Sequence, residues 1–362
     1  MTRHGRLLCV GLRGTEPGTD PFEADLAACR RAGVGGVILF DVDVPALRRL
    51  ENAGEAPETA VRRAVRNVVD PDQLRRLVAR VRDVLGPEVF VAIDQEGGRV
   101  ARLTSRRGFA DDPSARQFAA MNATDRAASA RRQAEQLAGL GIDLNFAPCV
   151  DLALEPANPV IDGLDRAFAA DPATVTACAG TIVAAHRAAG VAACLKHFPG
   201  HGSSRSDTHL GTADVTDTWQ REPELAPYRA LAAEPGVAVM VAHIVHRGLD
   251  AEHPASLSPD IVSGLLRSEI GFAGVVVTDS IDMRAVADRY SYEAAAVQAV
   301  RAGADLVVDG FNLAERAEHP APALAAALAG AFADGRIPGG DRRLEKSLQR
   351  LDRLRRQLGA GA

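Results

Sequence analysis

The chain repeats one unit from end to end: a short run rich in valine, isoleucine and leucine, a polar loop, then a longer stretch with helical periodicity. Such alternation imposes parallel strands, because each crossover helix returns the chain to the same end of the sheet. The runs Leu7–Leu12, Gly35–Phe40, Val89–Asp94, Asp143–Pro148, Ala192–Phe198, Val237–His243, Gly274–Asp279 and Asp305–Gly310 supply eight candidate strands. Pro57–Leu85, Ala127–Leu140, Pro172–Ala189, Pro259–Glu269, Tyr292–Ala302 and Pro322–Ala333 read as helices, several opening on Pro or Asp and closing before Gly. Eight such units in 362 residues suit an α/β fold of the (β/α)8 TIM-barrel type, which takes about 250 residues or more. The rival, a doubly wound open sheet, carries a Gly-rich phosphate fingerprint after an early strand, and Gly11-Leu12-Arg13-Gly14 is not one. No cofactor is expected. No repeat or linker divides the chain, so residues 1–362 are read as a single domain. The apolar stripe Leu344, Leu348, Leu351 and Leu358 predicts a C-terminal amphipathic helix over about 341–358 that packs on the barrel.

Composition narrows the function classes. A net charge of -5 argues against a nucleic-acid binder, which needs a basic face. Apolar runs such as Val237–Ala242 stop far short of the roughly 20 residues of a membrane span, so no membrane partner is expected. The start, Met1-Thr2-Arg3-His4-Gly5-Arg6, leads into Leu7 without a signal-type apolar stretch, and the reading is a cytoplasmic protein. The five cysteines are widely spaced, with no C-x-x-C pair, and are expected to be small buried hydrophobes. Of the 42 basic residues only Lys196 and Lys346 are lysines, so a lysine inside the apolar run Ala192–Phe198 asks for a reason.

In a barrel of this kind reactive groups gather where strands end at the carboxyl face. The candidate strand ends carry Asp94, Lys196 with His197, His243 and Asp279. Each has a bland reading: a strand-end Asp often caps the next helix, and a lone His is more often a hydrogen-bonded core residue. Convergence favours a site, because one topology aims Asp94, Lys196, His197 and Asp279 into one crater. The segment Pro199–Glu222 is long for a strand-to-helix loop and polar throughout. Within it Asp207 and His209 are two apart, so an extended backbone sends both side chains to one side, where a carboxylate orients an imidazole for proton transfer. A solvated loop with an idle histidine is the equal alternative. Trp219 is expected to pack, and His243 and His246 to support the pocket wall.

Lys196-His197-Phe198-Pro199-Gly200-His201-Gly202, then Asp207-Thr208-His209, with Asp94-Gln95-Glu96-Gly97-Gly98-Arg99 upstream, Gly163-Leu164-Asp165-Arg166-Ala167-Phe168 between and Gly274 to Asp279 downstream, resemble glycoside hydrolase family 3. The order and spacing are similar to its single-domain β-N-acetylhexosaminidase branch over roughly Leu7 to Leu313. The resemblance implies a retaining β-glycosidase in which Asp279 is the nucleophile and His209, paired with Asp207, the acid/base. It also implies that Asp94, Arg102, Arg166, Lys196 and His197 bind the sugar, which accounts for the odd lysine. The implied partner is a small N-acetylglucosamine-containing carbohydrate, a peptidoglycan-recycling fragment, a chitin-type oligomer or another β-glycoside, with no metal; the sequence leaves the oligomeric state open, a monomer being favoured. The chain departs from the family pattern at Ser280, Ala167 and Ser203, which leaves substrate preference open.

Four rival readings accompany this one. A phosphorylase would open the glycosyl intermediate with phosphate, to which a neutral imidazole offers no repelling charge; a β-glucosidase would use the same scaffold. A metal-dependent barrel hydrolase would recruit His197, His201, His209, His243 and Asp279, but no His-x-His or His-Glu-x-x-His pair is present. A sugar-binding barrel without catalysis would lack a nucleophile, which Asp279 supplies.

Overall fold

The computed structural model describes residues 3–208 and 211–359. Eight strands form one parallel sheet: β1 Leu8–Gly11, β2 Gly36–Leu39, β3 Phe90–Ile93, β4 Leu144–Asn145, β5 Ala192–Phe198, β6 Val237–Val241, β7 Val275–Thr278 and β8 Val307–Asp309. They run in chain order around the sheet, with β8 paired to β1 through Leu8↔Val307, Cys9↔Val308 and Val10↔Asp309. The ring closes where Val277 bridges Leu306 and the Thr278 N–H donates to the Leu306 carbonyl (3.0 Å). The result is the (β/α)8 barrel that the alternation predicts, with each of the eight apolar runs in a strand. The strand residues are buried on both faces, as parallel strands sheathed by helices must be.

Nine longer helices surround the barrel among the described residues: α1 Phe22–Ala32, α2 Pro71–Leu85, α3 Ala123–Gly139, α4 Pro172–Ala188, α5 Arg221–Leu231, α6 Asp260–Glu269, α7 Tyr292–Ala302, α8 Ala321–Ala333 and α9 Gly340–Gly359. The expected helix Pro57–Leu85 is in fact two, Pro57–Arg63 and α2. Between them Asn67 turns inward, giving its amide N–H to the Leu12 and Gly14 carbonyls and taking the Phe40 N–H. Asp70 then caps α2 through the N–H groups of Asp72 and Gln73, while Pro71 has no N–H to continue the earlier helix.

The amino end of the barrel is closed by α9. Its leucines 344, 348, 351, 354 and 358 are buried, and its arginines reach two acids that precede strands. Asp305, fully buried, is surrounded by Arg267, Arg343 and Arg350 and accepts the Ser347 hydroxyl (2.6 Å). Asp143 pairs with Arg82 and Arg355. The five cysteines are free and buried. No helix among the described residues is long and apolar enough to cross a membrane.

Candidate active site

At the opposite, carboxyl end of the barrel the strand termini bring their charged groups together. β3 delivers Asp94, then folds into a short hairpin of Gln95–Gly97 against Val100–Ala101. Gly97 and Gly98 hold positive φ at its tip, and a Cβ on Gly97 would lie 2.1 Å from the Pro113 carbonyl oxygen. The Gln95 side-chain carbonyl accepts the N–H groups of Arg102 (2.9 Å) and Leu103 (3.0 Å), which returns Arg102 over Asp94 at 3.5 Å. The eight-residue spacing of that pair is therefore the length of a hairpin.

β5 supplies Lys196, whose ammonium sits 2.8 Å from Asp94 Oδ1 and 2.6 Å from Glu96 Oε1 with a side chain 2% exposed. Glu96 takes a two-pronged pair from Arg166, with Nε–Oε2 at 2.9 Å and Nη2–Oε1 at 2.7 Å. Burial alone raises the Asp94 and Glu96 carboxyls, but the cations outweigh it: Lys196 and Arg102 hold Asp94 below its ordinary value, and Arg166 and Lys196 hold Glu96 far below. Burial lowers the Lys196 ammonium, and the two carboxylates more than reverse it, so Lys196 stays charged. The isolated lysine of the sequence thus finds its reason in two carboxylates from another strand.

His197 is fixed at both ring nitrogens. Arg166 only donates, so its contact with His197 Nε2 (3.1 Å) makes that nitrogen the acceptor. The proton then lies on Nδ1, which donates to Asp151 Oδ2 at 2.6 Å. Asp151, buried behind β4, also accepts the backbone N–H groups of His197 and His201, the latter at 2.7 Å. Burial raises this carboxyl, and His197 and His201 bring it down to about 2.

β7 ends in Asp279, half-buried, whose N–H donates to the Val241 carbonyl (2.9 Å) and whose Oδ1 accepts the Ser280 N–H (2.8 Å). Ser280 is in turn held on two further sides. Its carbonyl meets His243 Nε2 (2.8 Å), and its hydroxyl donates to Asp282 (2.6 Å) and accepts the Gly310 N–H (2.7 Å). Asp94, Arg102, Asp279 and Asp282 line one cavity of about 470 Å³, walled also by Phe146 and Met240. Of the expected site residues, Asp94, Arg102 and Asp279 face this cavity, while Lys196, Arg166 and His197 form the connected charge network behind Asp94. Asp207 is half-buried in the long loop, and the carbonyl of the next residue, Thr208, accepts the Ala285 N–H (3.3 Å) from the segment that follows β7. His209 lies outside the described residues.

Trp219 packs as expected, its ring edge-on to His246 (centroids 4.9 Å) and its Nε1 donating to the Pro199 carbonyl. Glu96, Asp151 and Asp282 were not singled out from the sequence. Glu96 was signalled by the lysine that needed a counter-ion; Asp151 and Asp282 lie well past the ends of β4 and β7, in the loops, and carry no local signature. Among the described residues one group, Cys149, Asp151 and His197, brings three potential metal ligands within 4.8 Å of one another. Its donor set does not suit a resident ion, because Asp151 is already filled by N–H donors and by the Cys149 thiol (3.3 Å).

The chain belongs to glycosyl hydrolase family 3: the model of that family's N-terminal domain matches residues 26–354. It is similar to the β-hexosaminidase LpqI of Mycobacterium tuberculosis, 41% identical over 227 residues that make up 60% of this chain and 57% of that one. The β-hexosaminidase of Methylococcus capsulatus is 36% identical over 67% of this chain and 72% of its own length. Among solved structures, a family 3 β-N-acetylglucosaminidase from Paenibacillus sp. superposes with a TM-score of 0.83 at 33% identity, covering 99% of this chain and 62% of that chain. The matched region thus spans less than two thirds of the mycobacterial and Paenibacillus proteins.

Proposed function

We propose that the protein is a retaining β-N-acetylhexosaminidase that removes terminal β-linked N-acetylglucosamine. The observation that carries this reading is the placement of Asp279 on the wall of the cavity that Asp94 and Arg102 also line. A carboxylate fixed at a strand end is poised to attack C1, while Asp94, kept anionic by Lys196, accepts hydrogen bonds from sugar hydroxyls. In the first step Asp279 bonds to C1 and the C1–O bond to the leaving group breaks, its oxygen taking a proton from the His209 imidazolium. In the second, neutral His209 accepts a proton from water, whose oxygen attacks C1 and releases Asp279. The ordinary pKa of a histidine imidazole, about 6.5, suits both steps, and Asp207 is read as its partner. A cytoplasmic setting, a single domain and a favoured monomer belong to this reading, and the substrate is read as a small peptidoglycan-derived or chitin-type fragment, with another β-glycoside as the alternative.

The test is a panel of nitrophenyl β-glycosides of GlcNAc, GalNAc and glucose, assayed with and without phosphate. Release of free GlcNAc at a rate indifferent to phosphate is expected; a sugar phosphate as product would make the enzyme a phosphorylase, and preference for glucose a β-glucosidase. His209→Ala should lower kcat by about 100-fold or more on a disaccharide, whose leaving group needs a proton, and far less on dinitrophenyl glycosides. Equal losses on both would remove His209 from the acid role. Activity should also survive prolonged EDTA treatment, and a loss restored by a divalent cation would reinstate the metal reading.

A further inference from the structure

Both ends of the long loop between β5 and α5 meet at one buried carboxyl. Glu224, in the first turn of α5, is 2% exposed. Its Oε1 accepts the Ser203 hydroxyl (2.8 Å) from the outgoing end of the loop and the Gln220 N–H (3.0 Å) from the returning end. The Gly202 backbone also donates to this carboxyl. Gly200, at φ +136, packs so closely that a Cβ there would lie 2.3 Å from Glu224 Oε2 and 2.8 Å from Glu224 Cβ. A second tie runs parallel: Trp219 Nε1 donates to the Pro199 carbonyl at 3.1 Å. Residues 199–203 and 219–224 therefore form a closed neck, and the span between them contains Asp207 and His209.

We propose that Glu224 is a positioning residue, which fixes the neck of this loop and thereby sets where Asp207 and His209 are presented to the leaving group. The proposal rests on the reading of His209 as acid/base, and Glu224 itself does not line the substrate cavity. The groups facing its carboxyl are Ser203 and the backbone of Gly202 from the loop, Gln220 from its return, Asp151 from behind β4 and Tyr228 one turn along α5. Burial, aided by the charge of Asp151, pushes the carboxyl up to about 7 against the hydrogen bonds that lower it. Glu224 Oε2 is buried without a hydrogen-bond acceptor or donor. A neutral carboxyl suits that surrounding better than an anion, so a neutral amide of the same shape should replace it.

The experiment compares wild type with Glu224→Ala and Glu224→Gln on aryl β-N-acetylglucosaminides graded by leaving-group acidity, alongside hydrogen exchange of the intact chain. Glu224→Ala should lower kcat about 10-fold or more on poor leaving groups and less than about 3-fold on dinitrophenyl glycosides, with KM little changed. Its loop amides over 204–218 should exchange faster while the strands do not, and Glu224→Gln should restore both readouts. If Glu224→Ala does not fold, Trp219→Phe, which removes the parallel tie alone, should show the same selective loss to a smaller degree. A loss uniform across leaving groups, or loop exchange unchanged in a folded variant, overturns the proposal. Absence of glycosidase activity in wild type would count against the proposed function instead, and the exchange data would still decide the role of Glu224.

Discussion

Asp279→Asn is expected to reduce kcat/KM on aryl β-N-acetylglucosaminides by about 10,000-fold or more, equivalent to roughly 5.5 kcal/mol of transition-state stabilisation. The amide has the shape of the carboxylate and still offers an oxygen to the Ser280 N–H, so the strand end keeps its geometry. On the proposed mechanism it loses the negative charge that attacks C1 and the ability to form the ester. The fall should therefore be the same for good and poor leaving groups, unlike that of His209→Ala. A 2-fluoro glycoside incubated with wild type should add its glycosyl mass to the peptide bearing Asp279, and the variant should take up none. Retention of more than about 1% of activity by a variant purified free of wild type would remove Asp279 from the nucleophile's role.

Lys196→Met is expected to cost about 3–5 kcal/mol of folding stability at neutral pH, because it leaves buried carboxylates without their shared cation. Asp94 would retain only Arg102 at 3.5 Å, and Glu96 only Arg166. The pH dependence identifies the cause. In wild type both carboxyls titrate below their ordinary values, so the stability they contribute is present above about pH 4 and is lost as pH falls toward those depressed values. In the variant burial is less opposed and Asp94 protonates more easily. The gap between the two proteins in urea unfolding should therefore be widest near pH 7 and narrow in acid. It should also narrow in strong base, where Lys196, whose pKa is raised, at last gives up its proton. A gap of constant size across that range would assign the loss to packing of the lysine stem rather than to charge.

The barrel was legible because parallel strands buried on both faces leave near-continuous buried runs, the mainly apolar Val237–Val241 and the β-branched Val275–Thr278 among them, that alternate with helical patterns. Lengths were less so: β4 shrinks to Leu144–Asn145 within the expected Asp143–Pro148, where Pro148 lacks the N–H a ladder needs. The break before α2 was written in Asp70-Pro71, but the helical periodicity on either side of it read as one helix. In the site, Asp94, Lys196, His197 and Asp279 could be placed because a strand end is a sequence position with a fixed spatial meaning. Glu96, Asp151 and Glu224 could not be assigned roles, since their partners come from distant parts of the chain. Asp151 acts through His197, 46 residues on, and nothing local to Asp151 records that contact.

The closure by α9 has a practical consequence. Its arginines fasten to Asp143 and Asp305 at the pole away from the cavity that Asp94, Arg102 and Asp279 line. Redesign of the upper loops for another glycoside can therefore proceed without disturbing what plugs the base. Conversely, stabilising substitutions along that plug offer a way to compensate for costly changes around the catalytic crater, with little risk to the chemistry itself.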